Sequence, residues 1–148
     1  EPVYQNLQNH LESIRKYDEF TFYYPPFTYH PKDAIEHFEK FCTDFGIKYS
    51  VIYEPEEFRI KKGGLWFLVS DRTLAEFLDQ CAENGFEPGR EAGVISYNET
   101  PMKKYIKNGI TVISTDFELM GQKAAEFVVS GEFIRFEVPT TLKLRSSL

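Results

Sequence analysis

Two periodicities alternate along the chain. Tyr4, Leu7, Leu11 and Ile14 recur at spacings of three and four and predict a helix over Pro2–Lys16. Phe20–Tyr24 is a short apolar run, stopped by Pro25-Pro26, and reads as a strand. Ile35, Phe38, Phe41 and Cys42 again share a helical face and predict a helix over Lys32–Phe45, with Pro31 at its start and Gly46 at its end. A strand over Lys48–Tyr53 and a polar crossover over Glu54–Lys62 follow. Leu65–Val69 is almost wholly apolar, the signature of a strand covered on both faces. Thr73–Asn84 reads as a helix with Leu74, Phe77, Leu78 and Cys81 inward, closed by Gly85.

The last third repeats the theme. Gly93–Tyr97 and Ile110–Ser114 are β-branched, apolar runs, separated by a helix-like polar piece over Thr100–Lys107 and the Asn108-Gly109 punctuation. A helix is expected from Phe117 to Val129, then final strands over Phe133–Val138 and Leu142–Arg145 around Pro139. Strands alternating with helices predict an α/β domain with a mainly parallel open sheet and helices on both faces. In such sheets ligands sit at the carboxyl ends of the strands. Those ends carry Ser70-Asp71, Tyr97-Asn98 and Thr115-Asp116.

Several pieces in this order carry a resemblance. Leu65–Asp71 is an apolar strand ending in Ser-Asp, and Ser96-Tyr97-Asn98 ends the next. Ile110-Thr111-Val112-Ile113-Ser114-Thr115-Asp116, Met120-Gly121-Gln122-Lys123-Ala124-Ala125 and Val138-Pro139-Thr140-Thr141-Leu142-Lys143-Leu144-Arg145 follow at matching intervals. Together they resemble the closing segment of the LacI/GalR-type effector-binding domain, the two-lobed fold shared with periplasmic sugar-binding proteins. The loop Tyr29-His30-Pro31-Lys32-Asp33 points to the variant fused to a GntR-type winged helix, as in arabinose repressor-like regulators. The resemblance implies one lobe of a periplasmic-binding-protein-like fold over residues 1–148, with 1–16 and 117–136 belonging to the other lobe of an intact protein. It implies a ligand-sensing part of a bacterial transcriptional regulator, binding a small effector, a sugar by family habit, and controlling DNA binding through a domain outside this chain. A homodimer in the cytoplasm, and no cofactor, complete the expectation. Because the chain opens at Glu1 rather than Met, it is expected to be a piece of a longer protein. The apolar faces Leu7, Leu11, Ile14 and Leu119, Ala124, Phe127, Val128 would then cover each other or pair with a second chain.

Each candidate effector residue also has a plainer role. Asp71 and Asp116, between strand and helix, read first as N-caps, with a sugar hydroxyl or a hinge contact as the alternative. For Ser70 a turn hydroxyl and the effector contact implied by the resemblance stand level. Asn98 is a natural turn residue and, by resemblance, a ligand contact. Tyr97 fills the core or stacks on a sugar ring. His30 and Tyr29, in the loop after the first strand, face either a cleft or solvent. Many sugar-responsive family members hold the effector with an Arg on the helix after this strand; here the nearest cation is Lys32, which lacks the planar fork of Arg.

Composition narrows the alternatives. A formal charge of −6 disfavours a nucleic-acid surface on this chain. The 14 Phe and 9 Tyr suit an aromatic helix-and-sheet core. Cys42 and Cys81 stand singly in helical patterns and read as buried hydrophobes in a reducing compartment. No run is long enough to span a membrane, and His10, His30 and His37 lack the spacing of a metal site. Nucleophile-elbow, phosphate-loop and zinc-protease motifs are missing. Two other functions remain open: a small doubly wound enzyme using Asp71, Asn98 or Asp116 as acid–base groups, and a sugar-binding protein of a transport system.

Overall fold

The structure, a computed structural model, describes residues 2–133 and 135–148. Among them a six-stranded sheet forms from β1 (Glu19–Tyr23), β2 (Tyr49–Ile52), β3 (Gly64–Leu68), β4 (Gly93–Tyr97), β5 (Thr111–Thr115) and β6 (Thr140–Lys143). The strand order is β2-β1-β3-β4-β5-β6, parallel throughout except for β6, which runs antiparallel to β5. The order reverses at β1, so the chain leaves in opposite directions from β1 and β3 and opens a crevice at their carboxyl ends.

Side-chain alternation along the central strands feeds two separate cores. Phe20 and Phe22 of β1, Leu65 and Phe67 of β3, Ile95 of β4 and Ile113 of β5 pack on one face, against α1 (Pro2–Asn9), α2 (Leu11–Ile14) and α3 (Asp33–Asp44). Tyr23, Trp66, Leu68 and Val94 point to the other face, where α4 (Asp71–Asn84) supplies Leu74, Phe77 and Cys81. Aromatic edges organise the first core: the Phe38 ring meets Phe20 at 4.8 Å and Phe22 at 5.3 Å in steep, edge-on contacts. The expected inward positions Ile35, Phe38, Phe41, Cys42, Leu74, Phe77 and Cys81 are buried, and Leu78 is half-buried against the second core.

Several expectations need correction. The first helix breaks at His10, whose φ of −119° leaves the helical region, so Pro2–Lys16 becomes two short helices. These helices do not wait for a partner. Leu7 and Ile14 are buried in the first core, and Asn6 ties α1 to β6 by donating to the Thr140 carbonyl at 2.9 Å and accepting from the Leu142 amide at 2.7 Å. The crossover over Glu54–Lys62 contains one 3₁₀ turn, Pro55–Glu57, fixed by a capping box between Glu54 and Glu57, and it buries Phe58 beneath the second core. Thr100–Lys107 is a chain of turns running into a single 3₁₀ turn, Ile106–Asn108, rather than a continuous helix. Lys107 and Asn108 adopt positive φ (48° and 66°), which a continuing helix forbids. The described part of Phe133–Val138 forms no strand, and Ile134 lies outside the described residues. The final strand is Thr140–Lys143 rather than Leu142–Arg145.

The terminal tail closes the amino-end of the sheet. Ser147 Oγ accepts from the Thr111 amide at 2.7 Å and donates to the Val94 carbonyl at 2.8 Å, bridging β4 and β5. By contrast α5 (Phe117–Ser130) buries none of its side chains: Phe127, Val128 and Val129 are 45%, 78% and 88% exposed.

Candidate functional site

At the carboxyl ends of β1, β4 and β5 lies a crevice of about 330 Å³. His30 and Pro31 of the post-β1 loop form one wall, continued by Asp33, Ala34 and His37 of α3. Tyr97 and Asn98 at the end of β4, Thr115 at the end of β5 and Phe117 at the start of α5 form the other, with Pro2 and Val3 closing it. The walls touch at the rings of His30 and Tyr97, whose centroids are 4.2 Å apart at 67°. Proline-rich sequence explains the loop's course: Pro25-Pro26 end β1, and the Tyr24 hydroxyl donates back to the His30 carbonyl. The His30 amide donates to Thr28 Oγ1 at 3.2 Å.

The electrostatics are mild. The crevice lining contains one carboxylate, Asp33, and neither Lys nor Arg. Burial pushes the His30 imidazole below its ordinary 6.5, with the Asp33 charge opposing, so it is neutral near pH 7, one ring nitrogen donating and the other accepting. Burial, and then Asp33, raise the Tyr97 phenol, which stays protonated. The wall therefore offers hydroxyl, imidazole and amide groups beside aromatic rings, which suits hydrogen bonding and stacking rather than proton abstraction.

Of the predicted site residues, His30, Tyr97 and Asn98 come together here. Asn98 is held at φ +62°, a left-handed conformation that Asn tolerates, by its amide donating to the Ile113 carbonyl at 2.7 Å. Tyr29 does not face the crevice; it is 102% exposed on the loop. Ser70 and Asp71 sit at the end of β3 and the start of α4, off the crevice lining. The cap of α4 is Ser70 rather than Asp71: Ser70 Oγ accepts from the Arg72 amide at 3.1 Å. A serine there can take extended backbone angles (φ −142°, ψ 141°), which lets the helix begin at Asp71, two residues earlier than expected. Asp116 caps α5, its Oδ1 accepting from the Leu119 amide at 2.9 Å. It lines a neighbouring groove with Glu99, Lys104, Lys143 and Arg145. There burial alone would raise the Glu99 carboxyl, but the Arg145 guanidinium, bonded to both its oxygens, holds it below the ordinary range.

Sequence reasoning missed Lys103. It is 1% exposed, and its ammonium donates to the Tyr97 carbonyl at 3.1 Å and the Asn98 carbonyl at 2.6 Å, and pairs with Asp71 Oδ1 at 2.7 Å. Its neighbour Lys104 is exposed. In a polar stretch nothing marks which of two adjacent lysines turns inward. Asp33, His37 and Phe117 were also missed as lining, since only the fold brings them beside His30. Among the described residues no group of three or more His, Cys, Asp or Glu is placed to hold a metal ion, and no helix is long and apolar enough to cross a membrane.

Comparison with known proteins fits this architecture. A probable maltose operon transcriptional repressor from Staphylococcus aureus superposes with a TM-score of 0.73 at 18% identity, over 99% of this chain and 59% of that one. A periplasmic binding protein/LacI transcriptional regulator from Alkaliphilus metalliredigens, solved with D-xylulofuranose, gives 0.71 at 13% identity, over 97% and 62%. The dimeric Lac repressor with an 11-residue C-terminal deletion gives 0.73 at 15%, over 98% and 61%. The chain thus spans about three fifths of the solved chains it matches. No curated protein sequence matches it. The sequence of residues 17–147 matches the periplasmic binding protein-like domain, and with the doubly wound sheet and its strand-end crevice this chain belongs to that family.

Proposed function

We propose that this chain is the effector-sensing lobe of a bacterial transcriptional regulator, and that its effector is a small neutral carbohydrate. The observation that carries the reading is the crevice at the carboxyl ends of β1, β4 and β5, with His30, Tyr97, Asn98 and Thr115 converging on one space. Aromatic rings beside neutral donors and acceptors are what a sugar ring asks for: apolar faces to stack on and hydroxyls to bond. The absence of Lys and Arg from the lining disfavours an anionic ligand. The solved relatives named as repressors, and the one carrying a sugar, support the same direction.

In this reading α5, with the segment to residue 136, packs on a second lobe, which accounts for its bare apolar side chains. The second lobe and a DNA-binding domain, a winged helix of GntR type, lie in sequence upstream. The effector bridges the lobes and binds one interlobe arrangement more tightly than another, which is the requirement for shifting a regulator between states. The regulator acts as a cytoplasmic homodimer on DNA and performs no catalysis.

The test begins with the coding sequence upstream of Glu1, followed by calorimetry of the full-length protein against a panel of neutral sugars and their phosphorylated forms. Saturable binding of a neutral sugar, with altered affinity for operator DNA, is expected. A full-length protein that is folded and binds none of them would overturn the reading.

A further inference from the structure

Lys103 is the one charged side chain fully buried among the described residues, and its surroundings match its chemistry atom for atom. An ammonium has three donors, and three acceptors stand around it: the Tyr97 and Asn98 carbonyls and Asp71 Oδ1. Two of these belong to the end of β4, and the third to the first residue of α4, just beyond β3. The lysine therefore joins two neighbouring strand ends. It also braces the backbone where Asn98 turns into positive φ and presents its side chain to the crevice.

We propose that Lys103 is the positioning residue of the crevice. Its ammonium fixes the left-handed turn at Asn98 by holding the Tyr97 and Asn98 carbonyls, with Asp71 as its counter-charge. Two further bonds tie this turn to β5, one of them from the Glu99 amide to Ser114 Oγ at 2.9 Å. The Asn98 amide bonds across to β5 through the Ile113 carbonyl, while its own carbonyl is held by Lys103 alone among the hydrogen bonds described. Removing the ammonium leaves two part-buried strand-end carbonyls without this donor, and such groups recover hydration by opening the local backbone. That the braced Asn98 side chain meets a ligand rests on the effector reading above.

The clamp is tested without any ligand by amide hydrogen exchange on the 148-residue chain. In Lys103→Met, exchange of the Asn98 amide is expected to accelerate by about tenfold or more, while Phe67 and Ile95 in the central strands keep their protection. Unchanged exchange at Asn98, or an equal acceleration throughout the sheet, would overturn the proposal, the second outcome marking Lys103 as general core support. Should Lys103→Met fail to fold, Asp71→Ala decides. It removes one exposed arm of the clamp, and acceleration confined to Asn98 and its neighbours supports the proposal, whereas none overturns it. Because this readout needs no sugar, a negative sugar screen would sink the effector reading and leave the clamp standing.

Discussion

The imidazole of His30 stands edge-on to the ring of Tyr97, 4.2 Å between centroids, and this contact joins the loop after β1 to the end of β4 across the floor of the crevice. Tyr97 also leans on Phe67 in the first core, with centroids 6.1 Å apart. One side chain thus couples core, strand end and loop. Truncation by Tyr97→Ala is expected to destabilise the domain by about 2 kcal/mol, because a half-buried aromatic loses both transfer free energy and ring contacts. Tyr97→Phe, which keeps the ring, is expected to change stability by less than about 1 kcal/mol. Urea unfolding of the two variants checks the contrast.

The position of His30 makes stability depend on pH. Its folded value lies below the ordinary 6.5 because burial penalises the charged ring. As pH falls through 6.5 the unfolded chain takes up a proton that the folded chain refuses, so stability declines. The decline ends once the pH is below the folded value and both states are protonated. For this single proton the slope is no steeper than about 1.4 kcal/mol per pH unit. His30→Gln is expected to flatten the part of the stability profile that begins as pH falls through 6.5, measured by urea unfolding of both proteins at each pH, while leaving the carboxylate-driven loss at lower pH in place.

Asn98 combines a backbone role with a side-chain role, and two substitutions separate them. Asn98→Gly accepts φ +62° without strain, so it is expected to keep near-native stability and to weaken effector binding in the full-length protein by about tenfold, the worth of a lost polar contact. Asn98→Ala adds a backbone penalty of about 1 kcal/mol for the left-handed conformation. Calorimetry and thermal unfolding on the pair would show the split. Equal effects on stability would argue against strain at this turn.

The two cysteines are expected to be inert. Burial pushes the Cys42 thiol up to about 12 and the Cys81 thiol up to about 11, and only thiolates react at appreciable rates. Both are free and buried. Ellman's reagent at pH 8 should therefore label neither thiol in the folded protein and both in denaturant. Rapid labelling of the native chain would contradict the packing of α3 and α4.

The element pattern was legible because it rests on local rules. Phe20–Tyr23, Leu65–Leu68, Val94–Tyr97 and Thr111–Thr115 are apolar enough to announce strands buried on both sides, and the spacings in α3 and α4 announce their inward faces. Boundaries shifted where a single backbone choice decided them: the break at His10, the cap at Ser70, the paired positive φ angles at Lys107 and Asn108. Strand Thr140–Lys143 carries no apolar run, and its place is set by pairing with β5 and by Asn6.

The sequence by itself determined the α/β class, the parallel sheet, the two-sided core and the family, since each follows from hydrophobic period and ordered motifs. It also placed candidates at strand ends, where open sheets bind ligands. Only the tertiary structure decided where each of them stands. It gathered His30, Tyr97 and Asn98, turned Tyr29 to solvent, gave Ser70 to the helix cap and Asp71 to Lys103, and packed α1 into this lobe while leaving α5 bare. The physical reason is that a side chain's role depends on which groups at distant sequence positions stand within hydrogen-bond reach. Lys103 and Asp71, separated by a strand and a helix in the chain, meet only when β3 and β4 lie side by side.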